Sequence, residues 1–218
     1  MTGPLEQVRM TGVAGLLLAA GAGRRMGTPK ALVELDGEPL VRRGVRLLTD
    51  GGCRPVVVVV GAAADRVRPL CGGAQVVEAA DWATGMAASL RAGLAAVDGL
   101  DDVRACVVAL VDQPAVTPAA VERLRAAHLD GARAAVATYA GRPRNPVVLD
   151  RSLWTQVAQA ATGDEGARPW LRAHPELVVR VDCTDAGSPD DVDTPQDLAA
   201  LAARADPAPT PHAREAAP

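Results

Sequence analysis

The sequence predicts a three-layer α/β domain built on a mostly parallel sheet. Strand-like and helix-like segments alternate along most of the chain. Several strand segments are unbroken apolar runs, the plainest being five consecutive valines at 56–60. A run without polar alternation is what a parallel strand covered on both faces requires. Hydrophobic residues make up 49% and charged residues 22% of the 218 residues, which suits a folded core better than a disordered chain.

Taken in order, residues 13–19 read as a buried first strand. A helix over 39–49 has Leu40, Val45 and Leu48 on its apolar side, and Gly51 and Gly52 stop it. Pro55 then opens the valine strand. Residues 63–70 read as helix, 74–78 as a short strand, 86–97 as a second long helix, and 105–110 as a central strand ending at Asp112. Thr117 is placed to cap the next helix, with Pro118 in its first turn, where a missing N–H costs little. That helix runs to about 129. Strands at 134–138 and 146–149, a helix at 152–161 and a late strand at 178–182 follow. Thr194, Pro195 and Asp197 start a last helix that ends near Arg204. Residues 1–204 are read as one domain, and the Pro/Ala-rich 205–218 as a flexible tail.

Composition excludes several function classes. Aromatic residues are 2%: Tyr139, three tryptophans and no phenylalanine, so Val, Leu and Ala must build the core. A net charge of -3 with a pI near 5.6 argues against a globally basic nucleic-acid binder, while leaving room for a local basic pocket. Cys53, Cys71, Cys106 and Cys183 are scattered without metal-ligand spacing. That argues against a zinc site or a disulfide framework and makes a reducing cytoplasm the expected setting. The apolar run 12–23 is cut off by Arg24 and Arg25, short of the roughly 20 residues a membrane span needs. Residues 1–9 carry Pro4 and Glu6 and no basic leader, so no signal peptide is expected there, and Met10 is an alternative start.

The strongest chemical signal follows the first strand: LAAGAGRRMGTPKAL, residues 18–32. Gly21 and Gly23 let the backbone turn tightly with its N–H groups open to phosphate oxygens. Arg24, Arg25 and Lys30 add three cations with no acid between them. Met26 replaces the third glycine of a dinucleotide fingerprint, and Gly27-Thr28-Pro29-Lys30 breaks the Walker A order. Local chemistry therefore reads as a triphosphate grip of another design, the plainer alternative being a Gly-rich turn with a solvated basic face. Asp112, at a central strand exit, suits a magnesium ion that reconciles a carboxylate with a polyphosphate.

This stretch resembles the signature of the MobA/MocA-like nucleotidyltransferases. WATGMAASLRAGL (82–94), ALVDQPAVT (109–117), GDEGARPWL (163–171) and DVDTPQDL (191–198) extend the resemblance in family-like order across most of the domain. It implies a Rossmann-like, GT-A-type nucleotidyltransferase fold. It also implies transfer of a nucleotide monophosphate to a phosphorylated acceptor, with release of pyrophosphate. The later motifs are similar to the molybdenum cofactor branch, so the implied reaction passes CMP from CTP to the terminal phosphate of molybdenum-molybdopterin. By the resemblance, Leu18, Ala19, Ala20, Gly21 and Gly23 hold the nucleotide, with Ser89 as a further donor. Arg24 and Lys30 face the triphosphate, and Asp112 binds magnesium; these three form the catalytic set. Asp193 is taken as the second metal-facing acid, with Asp191 as its alternative. Leu18-Ala19-Ala20-Gly21 is more like the cytidylyltransferase members, whereas guanylyltransferases usually carry glycine at the position of Ala20. A methyl there narrows the base pocket toward a pyrimidine.

Arg142, Arg144, Asn145 and Asp164 are the candidate acceptor contacts. Arg144-Asn145-Pro146 departs from the Gly-His-Pro of related cytidylyl-type proteins. Asparagine keeps hydrogen bonding but does not titrate near neutrality, which puts the acceptor in doubt more than the nucleotide chemistry. Three alternatives stay open: GTP as donor, another phosphorylated acceptor, and a non-catalytic nucleotide-dependent cofactor chaperone. A molybdoenzyme or its maturation factor is an expected partner; nucleic acid and membrane are not.

Overall fold

The computed structural model describes residues 12–205. The readings made for residues 1–11, and for the tail beyond residue 205, lie outside them. Strands β1 (Gly12–Leu18), β4 (Val56–Val60), β5 (Gln75–Glu78), β6 (Val103–Leu110), β7 (Ala134–Tyr139), β8 (Arg142–Asp150) and β9 (Val178–Asp182) form one seven-stranded sheet in the order β5-β4-β1-β6-β8-β7-β9. β1 pairs in parallel with β4 and β6, β4 with β5, and β7 with β9. Only β8 runs against its neighbours β6 and β7. The short segments expected at 134–138 and 146–149 are thus arms of a longer hairpin that turns at Ala140 and Gly141.

The valine-rich strands divide their side chains between two cores. Val13 and Leu17 of β1, Val58 of β4 and Val107 of β6 face one side. Leu16, Val57, Val59 and Val108 face the other. Helices α1 (Leu40–Asp50) and α4 (Pro118–Leu129) cover the first face, and α3 (Met86–Asp98) and α5 (Trp154–Ala160) the second. Both faces being dry explains why these strands show no polar alternation. All four cysteines are buried and unpaired, and burial pushes the Cys53 thiol up to about 12.

Local differences from the sequence reading have identifiable causes. The helix expected over 63–70 is α2 (Ala64–Val67) followed by a 3-10 turn at Arg68–Leu70. Pro69 has no N–H to continue the α ladder. Thr117 occupies the N-cap position of α4 without a side-chain capping bond. The segment before α5 begins with a 3-10 turn whose Ser152 N–H donates to Asp150, 2.9 Å away. Apart from short 3-10 turns, a ribbon and an α-helix go beyond the sequence reading. One is the two-residue ribbon of β2 (Glu34–Leu35) and β3 (Glu38–Pro39), which closes on Asp36-Gly37 with both residues at positive φ. The other is α6 (Arg168–Ala173). The last helix, α7 (Pro195–Ala205), starts as expected: the Asp197 N–H donates to Thr194 Oγ1 at 3.2 Å, and Asp197 accepts back from the Thr194 N–H at 2.8 Å.

Two glycines set the spacing of α1 on the sheet. A Cβ on Gly44 would lie 2.7 Å from both Leu17 methyls, and one on Gly15 would lie 2.9 Å from Leu48 Cβ. Gly44→Val should therefore destabilise by about 1–3 kcal/mol through overpacking, and Leu17→Ala by about 2–5 kcal/mol through a cavity. The double variant should lose clearly less than the sum, because the added methyls fill the vacated space; urea denaturation of the four proteins measures the coupling.

Candidate nucleotide site

The carboxyl ends of β1 and β6 lie side by side, with Leu18 in register with Leu110. The glycine loop leaves the first and the Asp112 loop leaves the second. Gly23 has φ +60°, and a Cβ there would meet the Thr28 carbonyl oxygen at 2.0 Å. Only glycine folds the loop back this closely. Gly21 is different: a Cβ would meet no atom within 4 Å, so its backbone faces open space. Gly23 is needed for loop closure, and Gly21 leaves room for close approach by a ligand.

Together these loops line a cavity of about 370 Å³. Leu18, Ala20, Gly21, Gly23, Arg24 and Lys30 form one side, with Asp112 and Ser89 beyond them. Ala19 points instead into the core and belongs to no cavity wall described here; its N–H donates to Val59 O at 2.9 Å. The far wall is Trp82 through Met86. Trp82 has two roles. It packs with its ring against the backbone of Gly61, and it also closes the cavity. Its place in a motif beside Ser89 was the available signal.

Lys30 is the centre of the site's electrostatics. Its Nζ donates to Asp112 Oδ2 at 2.7 Å and to Asp193 Oδ1 at 2.5 Å. Arg25 pairs with the other Asp193 oxygen at 2.8 Å, so Arg25 stands outside the cavity. Partial burial works against the Lys30 ammonium, but Asp112 first and then Asp193 outweigh it and raise its pKa above the usual lysine value. The Asp193 loop is fixed by three further contacts. Val192 N–H donates to Asp112 O at 2.8 Å, and buried Gln113 donates to Pro189 O and to Asp191 at 3.0 and 2.9 Å. Desolvation, followed by repulsion from Asp112, pushes the Asp191 carboxyl up.

Among the described residues, no group of three His, Cys, Asp or Glu side chains could hold a metal ion by itself. Asp112 and Asp193 offer two carboxylates, bridged by one ammonium. That donor set fits a hard cation that takes its remaining oxygens from phosphate and water. Arg24 lines the cavity and has no ion-pair partner among the described residues. Glycine backbone, a free guanidinium, an ammonium and two carboxylates are together suited to a metal-bound polyphosphate.

The acceptor candidates separate. Arg144 and Asn145 line a second cavity, which shares Leu18, Met86 and Leu110 with the first. Arg142, exposed at the hairpin end, lines neither. Asp164 lines the nucleotide cavity, where its Oδ1 accepts from the Met86 N–H at the start of α3, 3.1 Å away. Arg91 is used structurally, donating to Ala161 O at 3.0 Å.

The Lys30 bridge has a signed pH dependence. A lysine whose folded pKa is raised contributes stability below its unfolded value, near 10.5, and loses it as pH rises through the folded value. Lys30→Met, in ligand-free protein, should cost about 1–2 kcal/mol at pH 7–9 by leaving two carboxylates facing each other. The difference from wild type in urea midpoint should shrink above pH 10.5.

Comparison with known proteins places this geometry in context. The MobA-like NTP transferase domain matches residues 15–178. A nicotine blue oxidoreductase of Paenarthrobacter nicotinovorans is 40% identical over 85% of this chain and 94% of its own. A probable molybdenum cofactor guanylyltransferase of Opitutus terrae is 38% identical over 57% of this chain and 59% of its own. Among solved structures, Rv0371C of Mycobacterium tuberculosis in complex with manganese superposes with a TM-score of 0.72 at 28% identity, over 88% of this chain and 98% of that one. The motifs, the sheet and the match over most of the domain agree: this chain belongs to the family of MobA-like NTP transferase domains.

Proposed function

We propose that the protein transfers CMP from CTP to the terminal phosphate of molybdenum-molybdopterin, releasing pyrophosphate, in the cytoplasm. The observation that carries this reading is Lys30 held between Asp112 and Asp193 beside an open glycine loop. An acceptor phosphate oxygen attacks the α-phosphorus in line. The bond from that phosphorus to the bridging oxygen of the β-phosphate breaks, and pyrophosphate leaves. A phosphate monoester is already anionic, so no strong general base is required. Alignment and charge neutralisation suffice.

Arg24 and Lys30 stabilise the triphosphate, and Ser89 donates to it from the start of α3. Asp112 and Asp193 would hold magnesium, which when bound neutralises charge between carboxylates and phosphates. Lys30 is then free to move from the carboxylates to phosphate oxygen. Ala20, buried on the cavity wall, supports CTP through its methyl group. The guanylyltransferase relative makes GTP the nearest rival.

A second reading rests on the relative named an oxidoreductase, which aligns over nearly its whole length. In that case the second cavity holds a compound that is oxidised or reduced.

The deciding measurement is pyrophosphate release with magnesium and freshly prepared molybdenum cofactor, comparing CTP and GTP with an Asp112→Asn control. Acceptor-dependent release with CTP, reduced at least about 100-fold in the control, is the expected result. Equal or better use of GTP overturns the Ala20 argument. No release with either nucleotide, together with consumption of reduced nicotinamide dinucleotide that depends on added nicotine blue, replaces transfer by the redox reading.

A further inference from the structure

The second cavity, about 490 Å³, is large enough for a ligand of the size of a substituted ring system. Its floor is aliphatic: Val108 and Leu110 of β6, Val136 of β7, Val147 of β8. Leu90 of α3 and Leu171 of α6 close the sides. Its rim is cationic. Arg144 comes from β8, Arg168 and Arg172 from α6, and Arg180 from β9. Arg172 is engaged by Glu165 at 2.9 Å. Arg144, Arg168 and Arg180 have no ion-pair partner among the described residues, and no described side chain on the rim other than Glu165 carries a negative charge.

This convergence follows from the topology. Arg180 stands in register with Val136, and both line the cavity. β8 carries two residues, Asn145 and Pro146, between its pairings Val136–Val147 and Ala137–Arg144. That bulge gives β8 extra length at the cavity mouth, where Arg144 and Asn145 sit. Three unpaired guanidiniums from three elements around a dry floor are suited to a carboxylate, phosphate or sulfonate on an apolar body.

We propose that this cavity binds the ring end of the acceptor and holds a second anionic group on it, distinct from the phosphate that reacts. Arg168 and Arg180 hold that group, with Arg144, and the aliphatic floor covers the ring. The shared wall of Leu18, Met86 and Leu110 brings such a ligand against the nucleotide. Its role as acceptor rests on the transfer reading; its chemistry does not.

The test uses the full chain without nucleotide and two fluorescent probes of similar shape. Anilinonaphthalene sulfonate has a ring body and an anion, whereas N-phenylnaphthylamine has the ring body alone. The readout is the ratio of their affinities in wild type, in Arg168→Gln/Arg180→Gln and in Arg168→Lys/Arg180→Lys. The glutamine pair should reduce the preference for the sulfonate by about tenfold or more, and the lysine pair should restore part of it. Taking a ratio removes any common effect of altered folding. An unchanged ratio in the glutamine pair overturns the proposal, as does a wild type with no preference for the sulfonate. Pyrophosphate release is measured on the same proteins. A fallen ratio with no release from wild type under any nucleotide keeps the anionic cavity and removes the transfer reading. Release with an unchanged ratio does the reverse.

Discussion

A single ammonium group ties together three distant parts of this chain. Lys30 follows the first strand, and its two carboxylate partners are 82 and 163 residues further on. Nothing local brings them together. Their meeting requires β1 and β6 to be adjacent and parallel, so that both loops leave from the same end of the sheet. It also requires the segment before α7 to fold back onto the Asp112 loop, where Gln113 and the Asp112 carbonyl receive it. Two partly shielded carboxylates at this range repel each other strongly without a cation. The fold supplies that cation itself, as the Lys30 ammonium.

That constraint explains how residues are allotted within the glycine loop. Arg25 and Lys30 are both committed to carboxylates, Arg25 outside the cavity and Lys30 within it. Arg24 lines the cavity with no carboxylate partner among the described residues. Gly23 closes the loop against Thr28, while Gly21 faces open space. Local chemistry alone does not tell the three cations apart, and the family resemblance singles out Arg24 and Lys30 without placing Arg25. Their division of labour is set by where Asp193 lies, which only the tertiary structure determines.

The legible part of the fold was the part written in local pattern. Five valines in a row, the Gly51-Gly52 stop and the Thr194-Pro195-Asp197 start each encode their element through neighbours a few residues away. The antiparallel insertion of β8 was not legible in this way. Its inner half is as apolar as a parallel strand, and its outer half reads as loop because Arg142 is exposed and Pro143 to Asn145 line a cavity rather than a core. The ribbon at Asp36-Gly37 did carry a turn signal, but its strands are too short to show alternation. In the site, the residues next to glycines or at a strand exit were recoverable. Trp82 carried only its place in a motif beside Ser89, because a ring that closes a cavity and a ring that fills a core otherwise have the same sequence signature.

The two cavities also bear on the choice between group transfer and hydride transfer. Both reactions need a nucleotide against a second ligand, and the shared wall of Leu18, Met86 and Leu110 provides that contact. They differ in where negative charge must be managed. Hydride transfer builds up no charge on a triphosphate, so it gives two carboxylates gathered on one ammonium no task. Nucleotidyl transfer drives pyrophosphate away with growing negative charge, which a carboxylate-held cation and a lysine would offset. The pair Asp112 and Asp193, each placed against Lys30, therefore weighs toward transfer. A family member that had turned to redox chemistry would have no further use for that pair, and the most economical sign of such a change would be the loss of one of these two acids while the glycine loop remained.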